Sequence, residues 1–221
     1  MPRLEWDKVG ERLYETGVDR GVLFVMGAEN KYGAGVPWNG LSGVTSSPSG
    51  AELTPLYANN HKYVNMQSAE EYGCTITAYT SPTEFDECDG SVAPVAGVKL
   101  GQQKRKTFGF SYRTLIGNDT EGTKHGYIIH LVYGCLAAPS ERAYTTVNDS
   151  PEALELSWEV STTPVEIAGF EPVATIDIES TSLDPDKLKA LEDKLYGSES
   201  GTSELPMPDE VLTLCGYTTA A

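Results

Sequence analysis

The sequence predicts a mainly β protein: two packed antiparallel sheets, a sandwich or barrel, flanked by one short and one longer α-helix. Three observations carry this prediction. Short segments rich in Thr, Tyr, Val and Ile alternate apolar and polar residues with the period of a half-buried strand. Glycine, proline, asparagine and aspartate separate those segments. Only two stretches carry helix start and stop signals.

In chain order the strand-like segments are 12–16, 22–26, 41–47, 53–58, 62–67, 72–79, 107–115, 127–133, 153–162 and 174–179. Two pairs read as hairpins. Residues 107–115 and 127–133 flank the polar turn from Gly117 to Gly122, and 41–47 and 53–58 flank Ser47-Pro48-Ser49-Gly50, where proline presets φ and glycine accepts positive φ. Segment 127–133, Tyr-Ile-Ile-His-Leu-Val-Tyr, is apolar on both faces, so each face needs a cover. The first helix, 82–89, is short and acidic and stops at Gly90. A longer one has Asp184 as N-cap, Pro185 at its first position and an apolar stripe of Leu188, Leu191 and Leu195 before Gly197. The stripe is a docking face for a sheet.

At 221 residues the chain fits one all-β domain. Its charge is strongly unbalanced: 16 Lys and Arg against 32 Asp and Glu, a net charge of -16. That argues against tight nucleic-acid binding, which needs clustered cations to release counterions from phosphates. The densest basic group is Lys104, Arg105 and Lys106. No apolar run approaches the length that spans a bilayer and no signal-peptide core opens the sequence, so synthesis and retention in a cytoplasm are expected. Cys74, Cys88, Cys135 and Cys215 form no C-x-x-C pair and read as free, buried thiols.

Catalytic signatures do not emerge. Nucleophile-elbow, zinc-protease, P-loop and dinucleotide motifs have no match, so an enzyme is not expected and neither a cofactor nor a metal is implied. His61 and His125 read as loop or strand-end residues and His130 as a packed, hydrogen-bonded core histidine. Glu155 and Glu159 share the polar face of one strand, roughly 13 Å apart at about 3.3 Å per residue, too far for a glycosidase pair. Trp158 alternates with the apolar face and belongs to the core, whereas Trp6 and Trp38 read as exposed anchors. The 26–40 stretch is too long for an ordinary connection.

Several blocks together resemble the major tail tube proteins of siphophages, especially those of phages of Gram-positive bacteria. They are 17–23 (Gly-Val-Asp-Arg-Gly-Val-Leu), 37–41 (Pro-Trp-Asn-Gly-Leu), 47–52 (Ser-Pro-Ser-Gly-Ala-Glu), 68–73 (Ser-Ala-Glu-Glu-Tyr-Gly) and 84–90 (Glu-Phe-Asp-Glu-Cys-Asp-Gly). Further blocks follow at 101–103 (Gly-Gln-Gln), 112–122 (Tyr-Arg-Thr-Leu-Ile-Gly-Asn-Asp-Thr-Glu-Gly), 150–153 (Ser-Pro-Glu-Ala) and 205–211 (Leu-Pro-Met-Pro-Asp-Glu-Val). No block is a signature alone; their order and spacing carry the likeness over nearly the whole chain.

The resemblance implies a structural virion protein, made in the host cytoplasm and located in the tail. It would form hexameric rings stacked into a tube around a tape-measure protein. Tail terminator and distal tail or baseplate proteins would close the ends, and double-stranded DNA would pass through without sticking. The single tube domain would span 1–221 with no C-terminal immunoglobulin-like decoration domain, and with assembly arms at 1–11, 26–40 and 47–52. Wall carboxylates would repel phosphate over roughly the 8 Å Debye length, which suggests Thr75, Thr77, Glu155, Glu159 and, at a hairpin tip, Glu52 as lumen-facing residues. Trp6, Trp38, Ser47, Pro48, Ser49, Gly50, Lys104, Arg105 and Lys106 are the candidate interface residues, the basic triplet facing an acidic patch such as 84–89 of a neighbour. Two alternatives are a carbohydrate-binding or carbohydrate-hydrolysing sandwich with tryptophan platforms, and a type VI secretion tube-like protein.

Overall fold

The computed structural model describes residues 3–146, 149, 153–199 and 201–217. Met1 and Pro2 of the expected N-terminal arm, and 150–152 of the block at 150–153, lie outside the described residues.

The main sheet is built from β1 (Tyr14–Val25), β2 (Val36–Pro37), β3 (Leu41–Ser46), β8 (Gly73–Ala78), β11 (Phe108–Asn118), β12 (Gly122–Ala137), β13 (Leu156–Thr162) and β14 (Thr175–Glu179). Between β3 and β8 run β4 (Ser49–Gly50), β5 (Leu53–Ala58), β6 (His61–Gln67) and β7 (Glu70–Glu71); β9 (Val92–Val95) and β10 (Val98–Leu100) form a separate exposed hairpin. The strand order is β2-β1-β11-β12-β13-β8-β3, and β14 also pairs with β12. All pairings are antiparallel.

Strand β12 makes this a two-layer structure. One edge follows β11 from Gly122 to Cys135. The other edge pairs first with β14, over Ile128–Val132, and then with β13, over Cys135–Ala137. Gly134 stands at the switch with φ +60, and a Cβ there would lie 2.2 Å from the Thr163 carbonyl oxygen. Glycine is therefore required twice over, by backbone conformation and by space. Gly134→Ala should lower stability by about 2 kcal/mol, read as a fall in the urea midpoint at unchanged m-value; an unchanged midpoint would show that the switch tolerates a side chain.

The first core fills the space between the layers: Leu23 of β1, Phe108 and Phe110 of β11, Val132 and Cys135 of β12, Trp158 and Val160 of β13, and Ile76 and Ala78 of β8. Trp38, Phe85 and Trp158 meet at its centre, with ring centroids 4.7 to 5.5 Å apart and tilted or edge-on. The second core lies beneath the helices. Val22, Phe24, Ile129, Leu131, Tyr133 and Ile178 pack against Leu188, Leu191 and Leu195 of α1 (Pro185–Tyr196) and Val211 of α2 (Pro208–Leu214). Asp184 caps α1 by accepting from the Asp186 and Lys187 amides at 3.0 and 3.4 Å. Thus the strand that is apolar on both faces finds two covers in its own chain: α1 over Ile129 and Leu131, and the opposing layer over Val132.

Several expectations change. Segments 12–16 and 22–26 merge into β1, whose register shifts twice against β11. The 82–89 helix is a single 3-10 turn, Thr83–Glu87, that buries Phe85. Segment 41–47 does not pair with 53–58: β3 pairs with β8, and β5 with β6. The chain reverses at Asn59-Asn60, both left-handed at φ 49 and 63, as a two-residue hairpin turn requires. The 26–40 stretch is a strap into the core rather than a free arm, since Tyr32 and Trp38 are 8% and 4% exposed.

Burial pushes the Cys74 and Cys88 thiols from 9.0 up to about 12 and Cys135 well above its ordinary value, while Tyr32 and Tyr196 rise from 10.0 to about 12 for the same reason. An unfolded thiol ionises near 9 while the folded one keeps its proton. These groups therefore stabilise fully below about pH 9, and that stability is lost as pH rises from 9 toward 12. The melting temperature should fall over that window, and at neutral pH a thiol reagent should label Cys215 ahead of the three buried cysteines. Rapid native labelling of Cys135 would contradict this burial.

Candidate functional site

Two surfaces stand out. The first is the outer face of the β3-β8-β13 layer. Alternation along β8 sends Cys74, Ile76 and Ala78 into the core and leaves Thr75 and Thr77 outside. The register sets Thr45, Thr75 and Glu159 in one row across the three strands, and Gly43, Thr77 and Ser157 in the next. Thr77 Oγ1 donates to the Gly43 carbonyl at 3.2 Å. Small hydroxyl-bearing or bare residues fill both rows with Glu159 as the one charge, so the face offers no cation on which a phosphate could rest. Glu155 lies at the end of the same strand and accepts from Ser42 Oγ at 2.6 Å. Four sequence-predicted residues, Thr75, Thr77, Glu155 and Glu159, therefore come together, as strand alternation predicts. Glu52 does not join them; it sits at the base of the hairpin, its amide donating to Ser68 Oγ at 3.1 Å.

The second surface is an arm. From Ser47 the β3–β8 ladder continues outward through β4–β7 and β5–β6, roughly 40 Å to its tip at about 3.3 Å per residue. Ser47, Pro48, Ser49 and Gly50, expected at a tip, form the root of this arm, with Ser49 opposite Glu71 and Gly50 opposite Glu70. Every residue of β6 is exposed. Leu56 and Val64 pair across one face, with Thr54 opposite Met66 beside them, and Tyr57 and Tyr63 are 71% and 73% exposed. Lys62 is the single Lys, Arg, Asp or Glu between Leu53 and Gln67, in a chain of net charge -16. A nearly uncharged two-stranded ribbon with open edges and apolar side chains is a template for association. Sequence reasoning missed it by taking Pro48 and Gly50 for the reversal, although Asn59-Asn60 and the nearly uncharged run were readable.

The other interface candidates separate. Trp6 is 76% exposed. Trp38 is buried, its indole N–H donating to the Thr80 carbonyl at 2.9 Å, because β2 pairs with β1 and brings it against Phe85, Phe110 and Trp158. Two residues of the basic triplet pair with the acidic 84–89 segment of their own chain. Lys106 pairs with Glu87 at 2.5 Å and Arg105 with Asp89 at 3.5 Å, while Lys99 holds Asp86 at 2.6 Å. Lys104 remains exposed.

A polar cleft of about 270 Å³ lies beside β12, lined by Glu15, Tyr72, Tyr112, Thr114, His130 and Asp177 among others. His130 contacts Asp177 Oδ1 through Nδ1 and Thr114 Oγ1 through Nε2, each at 2.8 Å, and stacks on Tyr112 at 4.5 Å. Thr114 Oγ1 in turn donates to Glu15 Oε1 at 2.5 Å. The acid, imidazole and hydroxyl have the spacing of a proton relay, but the hydroxyl donates its hydrogen bond to Glu15, and the network ties β1, β11, β12 and β14 together. His130 is the packed, hydrogen-bonded histidine expected from sequence. Among the described residues no group of three His, Cys, Asp or Glu could hold a metal ion, and no helix is long and apolar enough to cross a membrane.

Comparison with known protein families and with curated proteins finds no match. Among solved structures, the chain is similar to one in the sheath-tube complex, in the extended state, of an extracellular contractile injection system, PVC. The identity is 14% and the TM-score 0.31, covering 72% of this chain and 88% of that one. A likeness at that score establishes no relationship by itself.

Proposed function

We propose that this chain is a tail tube subunit that assembles into stacked rings, hexameric as the sequence resemblance implies, and has no catalytic role. The observation that carries the reading is the exposed, nearly uncharged β5–β6 arm. A free monomer gains nothing from it, and a repeating assembly can bury it between copies. The polar β3-β8-β13 face suits the bore, where hydroxyls and Glu159 would offer a passing duplex no counter-charge. A tape-measure protein would occupy that bore during assembly, and terminator and distal tail proteins would close the ends.

Negative-stain microscopy of the purified full chain tests the reading directly. Tubes of stacked rings are the expected result; a monomer at every concentration, with or without a tail-tip complex as initiator, would end it. The bore assignment has its own check. In assembled tubes, Thr75→Lys with Glu159→Lys should leave the fold intact and retain double-stranded DNA at low salt, the retention falling as salt rises. Equal DNA release from variant and parent tubes would place this face elsewhere. A carbohydrate-binding sandwich is the weaker reading, because Trp38 and Trp158 lie in the core and cannot stack on sugars.

A further inference from the structure

We infer that Trp6 of one copy of this chain, flanked by Glu5 and Asp7, seats in the cleft beside Arg20 and Tyr196 of a second copy. The inference rests on the tube-subunit reading and names one of its contacts. The cleft, about 260 Å³, lies between the β2 edge and the end of α1, and its walls are Val22, Pro37, Leu195 and the Tyr196 ring, with Arg20 at the rim. Gly21 and Gly35 contribute no side chain to it.

The chemistry of the two parts is complementary. Arg20 sits 5.5 Å from the Tyr196 ring centroid and only 3.8 Å from Glu192, with half its side chain exposed. It therefore keeps donors for a further carboxylate and a face for a second aromatic ring. Trp6 offers the ring, 76% exposed, and its two acidic neighbours offer the carboxylates. A tryptophan flanked by charge and entering an apolar slot is the typical anchor of a protein interface.

The seat is assigned to another copy because the chain's own Trp6 stands exposed and its tether favours the opposite end of β1. Gly10 is pinned to the β11–β12 turn: its amide donates to Asp119 Oδ1 at 2.8 Å, and its carbonyl accepts from Asn118 Nδ2 at 3.4 Å. Trp6 lies four residues before that pin, an extended reach of about 14 Å at most. The cleft residues of β1 lie beside Arg113 to Ser111, between five and seven residues from Asn118 along β11; that is about 17–23 Å. Trp6 would have to turn back along β1 with its backbone fully extended, and its ring would then meet only the near end of the cleft; it instead stands 76% exposed.

The test uses a fluorescein-labelled peptide of residues 3–13 and full-length protein carrying Trp6→Ala, which keeps the seat free. Fluorescence anisotropy should show binding that weakens at least tenfold with Arg20→Glu and recovers when the peptide carries Glu5→Lys and Asp7→Lys. Arg20→Gln replaces Arg20→Glu if the latter lowers the melting temperature. No binding, or binding indifferent to Arg20, overturns the inference, as does peptide binding abolished only by deletion of the β5–β6 arm. Failure of the two readings is separable. Tubes that form normally from Trp6→Ala protein reject the seat and keep the tube; peptide capture by a chain that never forms tubes keeps the seat and rejects the tube.

Discussion

Excising residues 51–69 and closing the gap with a short glycine-serine turn is expected to leave a folded monomer that no longer forms tubes. The junction is favourable because Gly50 lies opposite Glu70, so the cut ends already face each other across a ladder. Little of the interior is lost. Within β5 and β6 only Ala58 is even partly buried, and neither core draws a residue from either strand. The melting temperature should therefore move by no more than about 4 °C, the effect of roughly 1 kcal/mol in a domain of this size, while microscopy shows no tubes. The loss of assembly should be complete rather than graded, because the arm supplies a continuous apolar ribbon rather than one contact. Normal tubes from the excised chain would remove the observation on which the functional reading rests.

Trp158→Ala is expected to produce the largest loss of stability among single substitutions at the described aromatic residues. Its side chain is 0% exposed, and its ring stands 5.5 Å from that of Trp38 and 5.2 Å from that of Phe85. Removing it empties the centre of the inter-sheet core and strips two aromatic neighbours of their partner. Large-to-small changes of this kind cost about 3–5 kcal/mol, which in a domain of this size is a fall of about 6–20 °C in melting temperature. Trp6→Ala, by contrast, should leave the melting temperature unchanged. Urea denaturation of both variants gives the comparison, and a loss below about 1 kcal/mol for Trp158→Ala would mean that the core collapses around the gap.

The parts of the fold legible in sequence were those specified by local chemistry. Asp184, Pro185 and three leucines on one stripe define α1 without help from the rest of the chain, and alternation alone sends Thr75, Thr77 and Glu159 outward while Ile76 and Trp158 turn inward. Partner choice was not legible, because it is decided at a distance. Pro48 and Gly50 look like a reversal, yet the Asn59-Asn60 turn fits a hairpin better and the ladder simply bends at its root. Trp38 looks exposed among glycines and prolines; only the pairing of β2 with β1 shows that its indole lies in the core. Arg105 and Lys106 read as a surface patch until the Phe85 turn folds back and lays Glu87 and Asp89 beside them. For α2, proline at the first position and an acidic first turn were present, but seven residues are too few to declare a helix before its packing partner is known.

Because β12 contributes Val132 and Cys135 to the inter-sheet core and Ile129, Leu131 and Tyr133 to the helix-covered one, neither compartment can melt alone without dragging the strand out of the other. The domain should therefore unfold in a single calorimetric transition, with van't Hoff and calorimetric enthalpies equal. Amide exchange should be slowest along 129–135 and fastest in the arm. For a subunit in a tube this has a mechanical meaning: a load entering through the arm reaches β3 and β8 first and then passes through β13 to β12, which like β1 is shared by both compartments, so the body bears it as a rigid unit while the arm flexes.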